Sequence, residues 1–304
     1  MSDGRLHVVT GAFGYSGSYI TRLLLDRGDR VKTLTNHPGD PQRFGGHVEA
    51  APLDFAEPKT LARNLEGAST LFNTYWIRFP YRGVDFDRAV SNIEALFEAA
   101  RAAQVPRIVH VSITGASTAL DLAYFRGKGL VEQALIASGL SYAILRPALI
   151  YGPEDILLNN IAWLLRRFPL FTIPGTGEYR VQPVFVEDLA RLAVEGSDRS
   201  DNYIIDAVGQ ETYTFNGLVE SLKRAVGSRA IILHVPPIAA RLPAGIIGRI
   251  TGDVTLTEDE VKGLMADLLV SNDRPTAPDR LSVWIHQNAA ELGRHYASEI
   301  ARRR

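Results

Sequence analysis

Tyr124 and Lys128 stand four residues apart in the run Tyr124-Phe125-Arg126-Gly127-Lys128. On a helix that spacing puts both side chains on one face. A phenol beside an ammonium has its proton affinity drawn down from its usual pKa of about 10. That suits it to exchange a proton with an oxygen. Just upstream, His110-Val111-Ser112-Ile113-Thr114 reads as a strand on which Ser112 and Thr114 point to one side. Either hydroxyl can hold the oxygen that takes the proton. Lysine is sparse, confined to Lys32, Lys59, Lys128, Lys223 and Lys262, so a pairing by chance is less expected than in a lysine-rich chain. The plainer alternative is the start of a surface helix with Tyr124 packed on the core.

A second constellation opens the chain. Thr10-Gly11-Ala12-Phe13-Gly14-Tyr15-Ser16-Gly17 follows a strand-like run, Leu6 to Val9, and precedes Ile20, Leu23 and Leu24 at helical spacing. Glycines at 11, 14 and 17 fit a tight turn, an approach of backbone amides to a pyrophosphate, and close contact of helix with strand. The helix N-terminus adds a positive dipole end. Gly11, Phe13, Gly14, Tyr15 and Gly17 are therefore candidate contacts of a dinucleotide.

The elements that must position these residues alternate along the first half. Strands are expected at Val31 to Leu34, Thr70 to Tyr75, Ile108 to Ile113 and Tyr142 to Leu145. Helices are expected at Ser18 to Arg27, Leu61 to Leu65, Phe86 to Gln104 and Tyr124 to Ser138. Alternation of this kind implies an α/β fold with a parallel sheet and right-handed crossovers. A connector from Pro169 to Gly177, a helix from Glu187 to Glu195, a strand from Tyr203 to Asp206 and a more helical tail follow. Residues 1–150 and 180–208 are expected to form the core, and 151–179 and 209–304 a smaller lobe that shapes the substrate pocket.

Composition narrows the function. The 304 residues are 46% hydrophobic and 22% charged, which is globular. With 33 Lys+Arg against 34 Asp+Glu, the net charge of -1 offers no basic excess for nucleic acid. The absence of Cys excludes disulfides, thiolate nucleophiles and Cys-ligated metals, and fits a cytoplasmic protein. The seven His residues show no metal-ligand spacing, so no metal is expected. No signal peptide is expected at the N-terminus. The apolar stretch from Ala230 to Ile250 is interrupted by His234, Pro236, Pro237, Arg241, Pro243 and Arg249, so no membrane span is expected either. Arg302-Arg303-Arg304 reads as a solvated tail.

The glycine spacing, the Tyr124/Lys128 pair one loop after the fifth strand, and Arg146-Pro147-Ala148-Leu149-Ile150-Tyr151-Gly152-Pro153 together resemble the short-chain dehydrogenase/reductase superfamily. The likeness is to its extended and atypical branch: epimerase/dehydratases, NmrA-like proteins and the complex I 39-kDa subunit. The resemblance implies a Rossmann doubly wound sheet with a mostly helical C-terminal lobe. It implies that Tyr124 exchanges the proton, that Lys128 tunes it and holds the nicotinamide ribose, and that Thr114, with Ser112 in reserve, orients the substrate oxygen. It also implies that Asp54 and Phe55 lie at the adenine, that Asn73, Thr74 and Tyr75 line the cofactor, and that Pro147 to Ile150 lie against the nicotinamide. Tyr75 and Trp76 would wall the substrate pocket or pack as core aromatics. The superfamily's helix Asn has no clean counterpart, Asn92 being out of register.

The second strand, Val31-Lys32-Thr33-Leu34-Thr35-Asn36-His37, ends without an acid to grip a ribose 2′-OH. Thr35, Asn36 and His37 can accommodate a phosphate there and Arg43 can supply charge, so NADP(H) is favoured while NAD(H) stays open. Asp54 is alternatively a turn residue, and Asp188 an acid at a helix N-terminus. Leu149 stands where sugar-nucleotide epimerases carry an Asn, which counts against a nucleotide-sugar substrate. The expected function is hydride transfer to or from a carbonyl or quinone-like small molecule. Epimerisation or dehydration, and a regulatory or assembly role without chemistry, are the alternatives. Paired long helices are compatible with a homodimer.

Overall fold

The computed structural model describes residues 4–36, 43–237 and 257–300. His37 and the terminal arginines at 302–304 lie outside the described residues. The chain divides into two compact units, Met1–Pro147 with Val186–Asp206, and Ala148–Phe185 with Ala207–Arg304.

Unit 1 is built on a seven-stranded sheet in the order β11-β6-β5-β4-β1-β2-β3. Its strands are β1 Leu6–Thr10, β2 Arg30–Leu34, β3 Val48–Ala51, β4 Thr70–Asn73, β5 Ile108–Val111, β6 Tyr142–Pro147 and β11 Tyr203–Ala207. β3, β2, β1, β4, β5 and β6 run parallel in register, with Val9 beside Phe72 and Asn73 beside His110. The order reverses between β1 and β4, so the crevice of this Rossmann sheet opens at their C-terminal ends, where such folds bind ligands. The central strands are buried on both faces: all of β4 and β5, and β1 from His7 to Thr10. Parallel strands covered by helices on both sides read as continuous apolar runs rather than alternating ones.

The helices supply that cover. α1 Tyr15–Asp26 packs beside α6 Val186–Asp198, while α3 Phe86–Ala102 lies between α2 Pro58–Leu65 and α4 Ala123–Ala137. Ile93, Leu96 and Ala100 on α3 are fully buried in one core with Leu71, Ile108, Val131 and Leu135. The N-cap of α3 is Asp85, whose carboxylate accepts from the Arg88 amide at 2.8 Å. Asp188, in the first turn of α6, is buried and pairs with Arg191.

Two strands stop short of their expected ends, β4 at Asn73 and β5 at Val111. At β4 the reason is local. The amides of Thr74 and Tyr75 turn to the Thr10 hydroxyl, at 2.8 and 3.1 Å, instead of a neighbouring strand. α1 begins three residues before its expected start, because Gly14 already serves as its N-cap.

Unit 2 has its own core, centred on Tyr151, Leu158, Ile161, Ile173, Leu218 and Leu222. Its helices among the described residues are α5 Leu157–Arg167, α7 Phe215–Ala225, α8 Glu258–Met265 and α9 Leu281–Asn288. The segment from Pro169 to Gly177, expected as a plain connector, contains β8 Leu170–Pro174. β8 pairs in parallel with β13 Ile231–Val235, which lies in a tail expected to be more helical. The β-branched Ile173, Ile231, Ile232 and Val235 favour the strand. Arg166 and Arg167 of α5 donate to the carbonyls of Leu292 and Gly293 at 2.8 and 3.1 Å, closing the chain beyond α9. Among the described residues no helix is long and apolar enough to cross a membrane.

His7 is fully buried in β1, with Nε2 3.4 Å from Asp29. Burial lowers its pKa from 6.5 to about 4, against the pull of Asp29. The folded state thus resists protonation that the unfolded chain accepts. The stability this gives is whole above pH 6.5 and is lost as pH falls towards about 4. Urea unfolding across that range is expected to show a fall in stability that His7→Leu flattens; an unchanged pH profile in the variant would contradict this.

Candidate active site

The glycine turn is shaped for a close ligand. Gly11 takes φ 72°, a left-handed conformation, while its amide donates to Leu34 O at 3.2 Å. A Cβ at Gly17 would stand 2.2 Å from Gly11 O, so only glycine lets α1 rise this close to the turn. Gly14 donates to Gly11 O at 2.8 Å, and Ala12 to the Thr33 hydroxyl at 3.0 Å. α1 has no side-chain cap and no acid in its first turn. A helix N-terminus of this kind offers main-chain amides and a positive dipole end to an anion. This is the cradle that a pyrophosphate requires, and the residues present fit it.

The neighbouring loops give a more mixed result. Asn36 bridges to the Leu53 main chain, donating to its carbonyl at 2.8 Å and accepting from its amide at 3.2 Å. Its amide group is committed to joining β2 to the loop after β3. Arg43 donates to Phe13 O at 2.5 Å, which brings a guanidinium to the edge of the turn. Asp54 accepts from the Ala56 amide at 2.9 Å, the turn role that its position also allowed. Phe55 packs on Tyr75 at 5.1 Å between ring centres.

Three buried polar residues form a row where the central strands end. The Thr10 hydroxyl lies 3.2 Å from Asn73 Oδ1, and Asn73 Nδ2 lies 3.1 Å from His110 Nδ1. Thr74 returns a bond to Thr10 O at 2.5 Å. Residues 73–75 are thereby tied to the turn in place, beside Gly11. Asn92, out of register for a family role, donates to the Tyr75 hydroxyl at 3.0 Å. Burial raises the pKa of that phenol.

Tyr124 and Lys128 sit on the first turns of α4, as their spacing required. Tyr124 is ringed by Trp76, Phe86 and Phe125, at 5.9, 5.9 and 5.6 Å. Lys128 is 3% exposed, and its ammonium donates to Val111 O at 2.7 Å. Loss of solvent lowers its pKa from 10.5 to about 7, with Glu132 opposing the shift. Glu132 continues the stripe by one more turn. Buried, it accepts from Ser112 and pairs with Arg146 of β6. Ser112 is thus spent on Glu132, while Thr114, fully buried, is held through its amide to Pro147 O at 3.0 Å. Pro147 closes unit 1. Ile150 belongs to unit 2, where it pairs with Val184.

Two features escaped the sequence reading. Glu132 was accessible in principle, because it repeats the four-residue spacing of Tyr124 and Lys128. Trp76 over Lys128 was not, because the contact joins different elements. Gly17→Ala is expected to weaken dinucleotide binding at least about tenfold, by forcing α1 off the turn. Titration of reduced nicotinamide fluorescence reads this, and an unchanged affinity would contradict the cradle.

Residues 11–156 match a family described as NAD(P)H-binding. The chain is 23% identical over 292 residues to the mitochondrial NADH dehydrogenase [ubiquinone] 1 alpha subcomplex subunit 9 of Arabidopsis thaliana, covering 89% of this chain and 72% of that one. It is 26% identical over 232 residues to a ceramide reductase of Caulobacter vibrioides, covering 75% and 73%. Among solved structures, the NADPH-dependent quinone oxidoreductase of Escherichia coli superposes with a TM-score of 0.77 at 17% identity, covering 94% of this chain and 99% of that one. Residues 11–156 therefore match an NAD(P)H-binding family on a Rossmann fold, and most of the chain is similar in sequence to a complex I subunit.

Proposed function

We propose that the chain is an NADP(H)-dependent reductase of a carbonyl or quinone-like small molecule. One observation carries this: Tyr124 and Lys128 share the first turns of α4, with the ammonium at the end of β5, in the same unit as the glycine turn. When bound, the dinucleotide supplies the hydride. Tyr124 gives its proton to the substrate oxygen as the carbon is reduced, and is later reprotonated from solvent. Lys128 stabilises the phenolate left behind and holds the ribose. Thr114 orients the oxygen, since Ser112 is engaged by Glu132.

The preference for NADP(H) rests on two features. β2 ends without an acid, and Arg43 brings a cation to the edge of the turn. A guanidinium recognises a phosphate by paired, charge-assisted hydrogen bonds. The quinone oxidoreductase with the same fold was solved with NADPH, and the ceramide reductase supplies a second reductase likeness.

A second reading is dinucleotide binding without turnover. The likeness to a subunit of NADH dehydrogenase and the enclosure of Lys128 favour it. Oxidation of NADPH against a panel of carbonyls and quinones separates the two: turnover supports the reductase, while tight binding with no acceptor supports the second reading. Tyr124→Phe is expected to lower turnover at least about 100-fold while dinucleotide affinity holds; unchanged turnover would remove Tyr124 from the chemistry. Arg43→Ala is expected to weaken NADPH binding about tenfold and to leave NADH binding nearly unaltered. Equal losses for both would refute a 2′-phosphate contact.

A further inference from the structure

Trp76 does more than wall a pocket. Its ring centre lies 4.8 Å from Lys128 Nζ, which also donates to Val111 O. That is cation–π distance, and the attraction grows as water is excluded. The ring is clamped: it stacks on Phe86 at 6.1 Å and meets Tyr124 edge-on at 5.9 Å. Beneath it lies Gly127, between the two residues of the pair. A Cβ there would stand 2.8 Å from the indole. The Trp76 Nε1 is buried and has no hydrogen-bond partner among the described residues. A ring needed only to fill space would be served by phenylalanine, without stranding a donor. What the larger ring provides is a broad face over a cation.

We propose that Trp76 is a positioning residue of the dinucleotide site, its indole capping the Lys128 ammonium and holding it against the Val111 carbonyl out of reach of water. The dinucleotide site itself rests on the function proposed above; the cap does not. The charged and titratable groups facing Lys128 come from several elements. α4 brings Tyr124 and Glu132, β5 brings His110, and β6 brings Arg146 through Glu132. The segment after β4 brings Tyr75 beside Trp76, and α3 brings Arg88, which acts on Tyr75. His110 stays neutral, because burial and Lys128 both oppose its protonation. Opening the cap therefore admits water to the ammonium and restores its hold on the proton.

Trace acetylation mapped by mass spectrometry, between about pH 6 and pH 10, reads the reactivity and titration of Lys128 with no ligand present. The intact chain is expected to label slowly at Lys128, with a midpoint near 7. Trp76→Ala should label at least about tenfold faster, with the midpoint raised by about one pH unit or more. Trp76→Phe, which keeps a smaller ring face, should fall between the parent and Trp76→Ala in both rate and midpoint. Gly127→Ala provides a second route, because it lifts the indole with Trp76 still present, and should shift Lys128 in the same direction as Trp76→Ala. Circular dichroism confirms that each variant folds. If Trp76→Ala or Gly127→Ala folds and labels with the parent's rate and midpoint, the proposal is overturned. Repeating the labelling with NADPH tests the other claim separately: no protection of Lys128 in the intact chain would count against the dinucleotide reading and leave the cap standing.

Discussion

An ammonium without water is the constraint around which unit 1 is arranged. Lys128 has one carbonyl, one aromatic face and one carboxylate a helical turn away. Burying a charge is costly unless such partners meet it. Each partner comes from a different part of the chain: Val111 from the end of β5, Trp76 from the segment after β4, Glu132 from α4 itself. They meet only if the sheet register, the crossing of α4 and the path beyond Asn73 are all correct. The candidate chemistry and the fold are therefore the same problem. The helix that carries the pair is also held by what the pair requires, through Glu132, Ser112 and Arg146.

The crevice follows from strand order. Reversal between β1 and β4 opens the sheet at Thr10 and Asn73, and the side chains there are polar because the main chain that leaves the strands needs partners. Thr10 accepts from two amides of the next segment, Asn73 braces Tyr75 at 3.1 Å, and His110 completes the row. This row sets residues 74–76 beside the glycine turn. It also aims Trp76 at α4. A buried polar network of this kind specifies one path for the loop.

Local features were legible in the sequence. The glycine turn is a short-range motif whose strand and helix are contiguous, and Tyr124 with Lys128 needs only the helical repeat. The apolar runs of β1, β4 and β5 mark a sheet covered on both faces, and strand existence followed, with ends off by one or two residues. What could not be read were contacts between elements. Asn36 looked like a phosphate contact and instead ties β2 to Leu53. Ser112 looked like a spare for Thr114 and instead serves Glu132. Asn92 looked misplaced and instead meets the Tyr75 hydroxyl. Strand β13 was hidden because its partner, β8, lies some sixty residues earlier, as in the register of Ile231 with Leu170. Pairings at that distance carry no periodic signal of their own.

A dinucleotide laid along this crevice is proposed to put its phosphates on the first turn of α1 and its nicotinamide end at α4. A crystal structure of the chain grown with NADPH tests it most directly. The account requires the pyrophosphate against the amides that follow Gly11 and the nicotinamide ribose within hydrogen-bond reach of Lys128. A dinucleotide seated elsewhere, or one whose ring lies turned away from Tyr124 with Lys128 still sealed, would contradict it.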